Sequence, residues 1–199
     1  MIQIARLLPV CLLLLTAAGE APSLAPTRDV VVSYRVVRAA AQGGPAKLVV
    51  SHDAASRHVR IDSFIFADGK APYEAMIVSQ SDNKTLVLAF ARQAAIEAEG
   101  TGFALPGLGF AAGSSFQQRG GKTVTGLPCT EWEVTPPKGG TDAAAEPWTA
   151  CVTADGVLLR SVSSVRELEA TSVKFAPVPP AVFVAPPDLK RVVAVPAKK

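Results

Sequence analysis

The feature that most limits the fold is alternation at period two. In 29–37, Val30, Val32, Tyr34 and Val36 fall on one side of an extended backbone. Val31, Ser33, Arg35 and Val37 fall on the other. Strand side chains alternate between faces, so this pattern reads as a strand with one buried side. The same spacing recurs in 47–52, 57–66, 71–80, 84–90 and, more weakly, 93–99. Turn residues separate the runs: Asp53-Ala54-Ala55-Ser56, then Asp82-Asn83, a pair suited to positive φ. Farther along, 122–125, 127–135 and 148–153 read as strands. Asp155-Gly156 then makes a tight turn into 157–166, and 170–175 is the last full strand. Ala89–Glu99 is Ala-rich and offers the one short helix, the α+β alternative. The expected fold is therefore all-β: a curved antiparallel meander bent into a half-barrel, because an open sheet of ten or so strands must curl or be covered to hide its apolar side.

The ends set the domain limits. Arg6, the apolar run 7–15 and the small residues Thr16, Ala17 and Ala18 have the three parts of a secretory signal. The apolar core is too short to span a bilayer, which needs about 20 residues. Cleavage fits after Ala18 or Ala21, giving a signal over 1–21. Cys11 lies inside the apolar core, and no Cys stands where a lipid-anchored chain would carry one. A single β-domain is expected over 27–187 and a flexible basic tail over 188–199. The exported part is expected to have no transmembrane anchor and to belong in the periplasm or outside the cell. The net charge of +3 loses one unit with Arg6. A charge that small, without a clustered basic stripe, does not point to nucleic acid.

Removal of the signal leaves two cysteines, Cys129 and Cys151. An even count in an oxidising compartment implies a bridge. Setting Cys129 opposite Cys151 on antiparallel strands also sets Trp132 opposite Trp148 and centres the turn on Gly140. The reading places the bridge on the outer face and the Trp pair on the inner one. No Cys-x-x-Cys spacing or flanking cation marks a redox pair, so the bridge is read as a staple.

No catalytic constellation, metal site or cofactor motif emerges. His52 and His58 flank a turn with Asp53 between them, but no second cluster completes a metal shell. Arg60 and Asp62 sit two apart on one strand face, as a surface pair would, or as an inward-facing pair that anchors a polar headgroup. The run 107–113 lacks the spacing and the Lys-Ser/Thr of a phosphate loop. What remains is an apolar, Gly/Pro-punctuated loop carrying Phe103, Leu105, Leu108 and Phe110. Such a stretch covers something, as a plug on the domain's own edge or as a lid over a cavity. With Trp132 and Trp148 beneath it, it forms the expected apolar ligand site.

Several segments resemble a set of uncharacterised exported bacterial proteins. They are 60–62, the Asp82-Asn83 hairpin, 123–132 around Cys129, 150–160 around Cys151, and the ending 180–187. The strand order is similar to that of the lipoprotein-carrier half-barrels of the bacterial periplasm. That resemblance implies a curved antiparallel sheet with a cavity for acyl chains. The chain has no lid-helix pattern, and no carrier functional residue maps onto it. The expected role is a non-enzymatic binding module for an apolar or acylated ligand, or for another envelope component. The alternative is a structural or regulatory envelope protein that acts through its outer surface and has no ligand cavity.

Overall fold

The computed structural model describes residues 21–38, 44–100, 108–137, 146–164 and 166–193. Among these residues twelve strands form one curved, open sheet. In chain order they are β1 Val30–Arg38, β2 Lys47–Asp53, β3 His58–Phe64, β4 Glu74–Ser79, β5 Lys84–Ala89 and β6 Ala94–Glu99. These are followed by β7 Ser115–Val124, β8 Leu127–Thr135, β9 Trp148–Val152, β10 Leu158–Val162, β11 Glu167–Phe175 and β12 Lys190–Val193. The all-β half-barrel is what the alternation called for. The alternative short helix over 89–99 is not formed: a single 3₁₀ turn, Phe90–Arg92, leads into β6, in line with the weak alternation of 93–99.

The sheet is two meanders joined back to back, rather than one. Its order is β12-β6-β5-β4-β3-β2-β1-β11-β10-β9-β8-β7. The seam is β1 against β11, with Val32 opposite Val173 and Tyr34 opposite Ala170. The first meander ends at β6, and the chain begins the second at the far edge, β7. The last strand returns to the first meander, where β12 pairs parallel with β6, Val192 opposite Ile96. Residues 190–193 are therefore a strand and not part of a loose tail, and Leu189 just before them is buried. Residues 194–199 lie outside the described residues, as do residues 1–20 of the expected signal over 1–21.

Alternation fixes which side chains share a face. One transverse row is Val32, Val50, Ile61, Met76, Val87 and Ile96. The next is Val30, His52, Val59, Val78, Thr85 and Ala98. These rows make the inner face. Ala75, Ile77, Leu88 and Ala95 point the other way and are buried under the C-terminal segment, where Phe183, Ala185 and Leu189 pack on them. Burying four such side chains fully is worth several kcal/mol at about 25 cal/mol per Å². This is the physical role of a segment that reads in sequence as Pro-rich coil. Arg60 and Asp62 hold it down. The guanidinium forms a forked pair with Asp62 at 2.8–3.1 Å and donates from Nη1 to the Val182 carbonyl at 2.8 Å. Both side chains are only 16% exposed. The expected surface pair is a largely buried clamp.

The cysteines are joined, with Cα atoms 5.4 Å apart. The register, however, differs by two residues from the one expected. Trp132 faces Ala150, and Trp148 faces Val134. A shift of two keeps every side chain on its own face, which is why the bridge survives it. The turn centre expected at Gly140 lies outside the described residues. The bridge also sits differently from expectation. Cys129 and Cys151 are buried with Val30, Val32, Tyr34, Leu159 and Leu168. Farther along the same side of β8, Glu131 and Glu133 pair with Lys122 and Arg119 near the surface. Strand twist turns one face from core to solvent within a few residues, so the bridge is internal and not on the outside.

Candidate functional site

A cavity of about 110 Å³ lies over the inner face of β1–β3. Its floor is Val30, Val32, Tyr34, Val50, His52, Val59 and Ile61. Its cover comes from three directions: Leu24 and Pro26 before β1, Leu108 before β7, and Gly156 to Leu158 at the β9–β10 turn. The cover is built from local rules. Thr27 donates its amide to the Asp155 carbonyl, and Arg28 pairs with the Asp155 carboxylate at 2.8 Å. Gly156 has φ +82, and a Cβ there would meet the Ala25 carbonyl oxygen at 2.7 Å. Only glycine lets the N-terminal segment lie this close. Beyond the cavity the inner face continues as half-buried Val78, Val87 and Ile96 with the buried Met76.

The polar groups are few. Tyr34 is buried, and its hydroxyl donates to the Leu158 carbonyl at 2.6 Å; burial pushes this phenol up, out of the range where it ionises. His52 is 5% exposed. Burial pulls its imidazole below the ordinary range, against the opposing pull of Asp29 and Asp53. At neutral pH it is an uncharged ring in an apolar wall. His58 points to the opposite face. Its ring shares hydrogen bonds with Ser56 Oγ at 2.8 Å and Ser79 Oγ at 3.2 Å, and it lies 5.7 Å from the Phe183 ring. The two histidines are thus on opposite sides of the sheet and share no site. Among the described residues no group of three metal-ligating side chains gathers.

Of the residues expected to form an apolar site, Leu108 lines the cavity. Phe103 and Leu105 lie outside the described residues. Phe110 packs edge-on to Phe116 at 4.9 Å and tilted on Trp148 at 5.6 Å. Trp132 is buried in that same cluster with Val134, Ala150, Val152 and Leu158. Phe110, Trp132 and Trp148 therefore build a core beside the cavity and do not line it. The sequence context of His52 is that of a turn residue. Its parity with Val50 and Leu48 is the signal that places it indoors. A wider, shallow depression of about 550 Å³ along β7–β8 is lined by Gly121, Lys122, Thr123, Pro128, Cys129, Thr130 and Ala154, and holds no comparable apolar wall.

Solved structures share this architecture. An uncharacterised conserved protein from Thermus thermophilus superposes with a TM-score of 0.55 at 10% identity, over 84% of this chain and 91% of that one. MucB superposes at 0.53 and 17% identity, over 86% of this chain and 62% of MucB. PNGF-II superposes at 0.52 and 14% identity, over 84% of this chain but 32% of PNGF-II. The likeness is one of fold. A LolA superfamily protein from Nitrosomonas europaea superposes at a TM-score of 0.40 and 11% identity, over 80% of this chain and 91% of that one. No family model and no curated protein matches the sequence. The chain spans about three fifths of MucB and a third of PNGF-II, so the activity of those longer proteins does not transfer with the fold. No helix among the described residues is long and apolar enough to cross a membrane.

Proposed function

We propose that this chain is an exported binding module that holds an apolar or acylated ligand on the inner face of its half-barrel. The supporting observation is the asymmetry between the two faces of β3–β6. The outer face is sealed by the chain's own C-terminal segment. The inner face carries an apolar cavity over β1–β3, and its rows continue along the strands as half-buried Val78, Val87 and Ile96. A concave, mostly apolar surface with few polar groups is the usual setting of a small-molecule site. The cavity alone is below the ~300 Å³ of a drug-sized pocket, so a ligand would use it as an end pocket and lay its remaining length along the open rows.

The test is native mass spectrometry of protein purified from its own host, followed by solvent extraction. Adducts of lipid mass that disappear on extraction support the reading. A bare protein that also fails to bind the fluorescent apolar probe N-phenyl-1-naphthylamine counts against it. A second reading, docking of an envelope protein, draws on exposed Ile65 and Phe66, 58% and 68% accessible, at one end of the sheet. MucB, of similar fold, has been solved in complex with MucA(peri). Capture of an envelope protein that Ile65→Ser/Phe66→Ser abolishes would favour this second reading.

A further inference from the structure

Strand register seats His52 between Val30 on β1 and Val59 on β3, at the end of the cavity nearest the hairpin turns. Its neighbours do not satisfy it. Asp29 accepts the amides of Ala54 and Val178, and Asp53 accepts those of Ala55 and Ser56. The Tyr34 hydroxyl is committed to Leu158. Among the described residues neither ring nitrogen of His52 has a hydrogen-bond partner. A buried polar group left unpaired costs stability, and a leucine would fill this place without that cost. Gln80, one residue past β4 and exposed, lines the mouth beside it. The cavity thus has a polar end at His52 and Gln80 and an apolar body at Val50, Ile61 and Leu108.

We propose that His52 is the hydrogen-bonding subsite of this cavity and receives the carboxyl head of a fatty acid. The inference rests on the inner face being a binding surface, and adds the head group to it. An uncharged imidazole offers one N–H and one lone pair. The ring N–H donates to an oxygen of the fatty-acid carboxylate, a bond strengthened by the charge of the anion. A quaternary ammonium head could use neither nitrogen, and an alcohol would gain only a neutral bond. Size agrees: a cavity of about 110 Å³, on the scale of the ~150 Å³ void that accepts benzene, takes a carboxyl and the first few methylenes. The rest of the chain follows the row Ile61, Met76, Val87 and Ile96.

The experiment uses the full exported chain, stripped of lipid, with N-phenyl-1-naphthylamine as the head-free probe. Decanoic acid, 1-decanol and decyltrimethylammonium serve as competitors. Wild type, His52→Leu and His52→Gln should all bind the probe. Decanoic acid should displace it from wild type at roughly tenfold lower concentration than from His52→Leu, with His52→Gln between them. The imidazole ¹⁵N signals of His52 should move on adding decanoic acid while those of His58 stay. Probe binding without any difference between wild type and His52→Leu for decanoic acid overturns the subsite and leaves the binding surface standing. Failure of wild type to bind either probe or acid removes both.

Discussion

Removing the Cys129–Cys151 bridge perturbs the structure at one known point, and its effect can be worked in advance. The bridge closes a segment of 22 residues between β8 and β9. In the chain-entropy model, a closed loop of that length removes about 11 cal/mol/K from the unfolded chain, or about 3.4 kcal/mol at 25 °C. For a domain of this size each kcal/mol moves Tm by about 2–4 °C, so reduction should lower Tm by roughly 7–14 °C. Both sulfurs are buried among Val30, Tyr34 and Leu168. Cys129→Ala/Cys151→Ala should therefore lose somewhat more than reduction does, since it also removes packed volume. Thermal unfolding followed by circular dichroism, with and without a phosphine reductant, measures the first. Urea unfolding of the double variant measures the second and, through its slope, shows whether the unfolded chain has expanded. An unchanged Tm on confirmed reduction would refute both the burial of the bridge and its role as a staple.

Gly156→Ala should destabilise by about 1–3 kcal/mol, from positive φ and from collision with the Ala25 carbonyl; proteolysis should then open the chain first at residues 21–28. Arg60→Ala should cost about 2–3 kcal/mol, below the 3–5 kcal/mol of a fully buried pair, and hydrogen exchange should rise in 178–193 before it rises elsewhere. His52→Leu should raise urea stability at neutral pH by up to about 1–3 kcal/mol, by removing an unpaired buried imidazole. The pH dependence follows from the same group. Its folded pKa lies below the unfolded value near 6.5, so the unfolded chain binds the proton first. Stability is full above that value and falls as the pH drops below it, and urea midpoints between pH 7.5 and 5 should fall less in His52→Leu than in wild type.

Much of this fold is legible because alternation and turn chemistry act together. Asn83 does take positive φ, at +51, and Gly156 at +82, where Asp82-Asn83 and Asp155-Gly156 read as hairpins. Local signals go no further than neighbouring strands. Nothing in 30–36 or 167–175 says that β1 must pair with β11, because that seam is decided by which apolar edges remain after the local hairpins form. β7 is legible only from Lys122 because Gly120 and Gly121 interrupt its pattern; Gly120 sits at φ +149, at an irregularity in the pairing with β8. β12 is hidden for a related reason. Lys190–Val193 does not alternate and is exposed throughout, and it owes its strand form to pairing with β6. The candidate site is the least legible part. His52 reads as a turn residue by its neighbours Asp53 and Ala54 and as a core residue by its parity with Leu48, and parity wins because β2 is central in the sheet.

The two ends of the domain explain why one region of the sheet is left available. The N-terminal segment folds over the inner side of β1–β3 and is fastened by Arg28 to Asp155 and by its close approach to Gly156. The C-terminal segment folds over the outer side of β3–β6 and is fastened by Arg60 to Val182. Each covers apolar side chains that an open sheet cannot otherwise hide. Leu108 contributes a third cover, where it touches both the bridge cluster and the tryptophan cluster. Among the described residues these covers meet over Val50, Val59 and Ile61 and stop short of Val78, Val87 and Ile96. The apolar rows therefore run from a polar end at His52 and Gln80 to half-buried Val78, Val87 and Ile96 on β4–β6. In the proposed function, that arrangement would give an elongated amphiphile a place for its head and a path for its chain, whereas a sheet needing only stability would have leucine at position 52 and a cover over β4–β6.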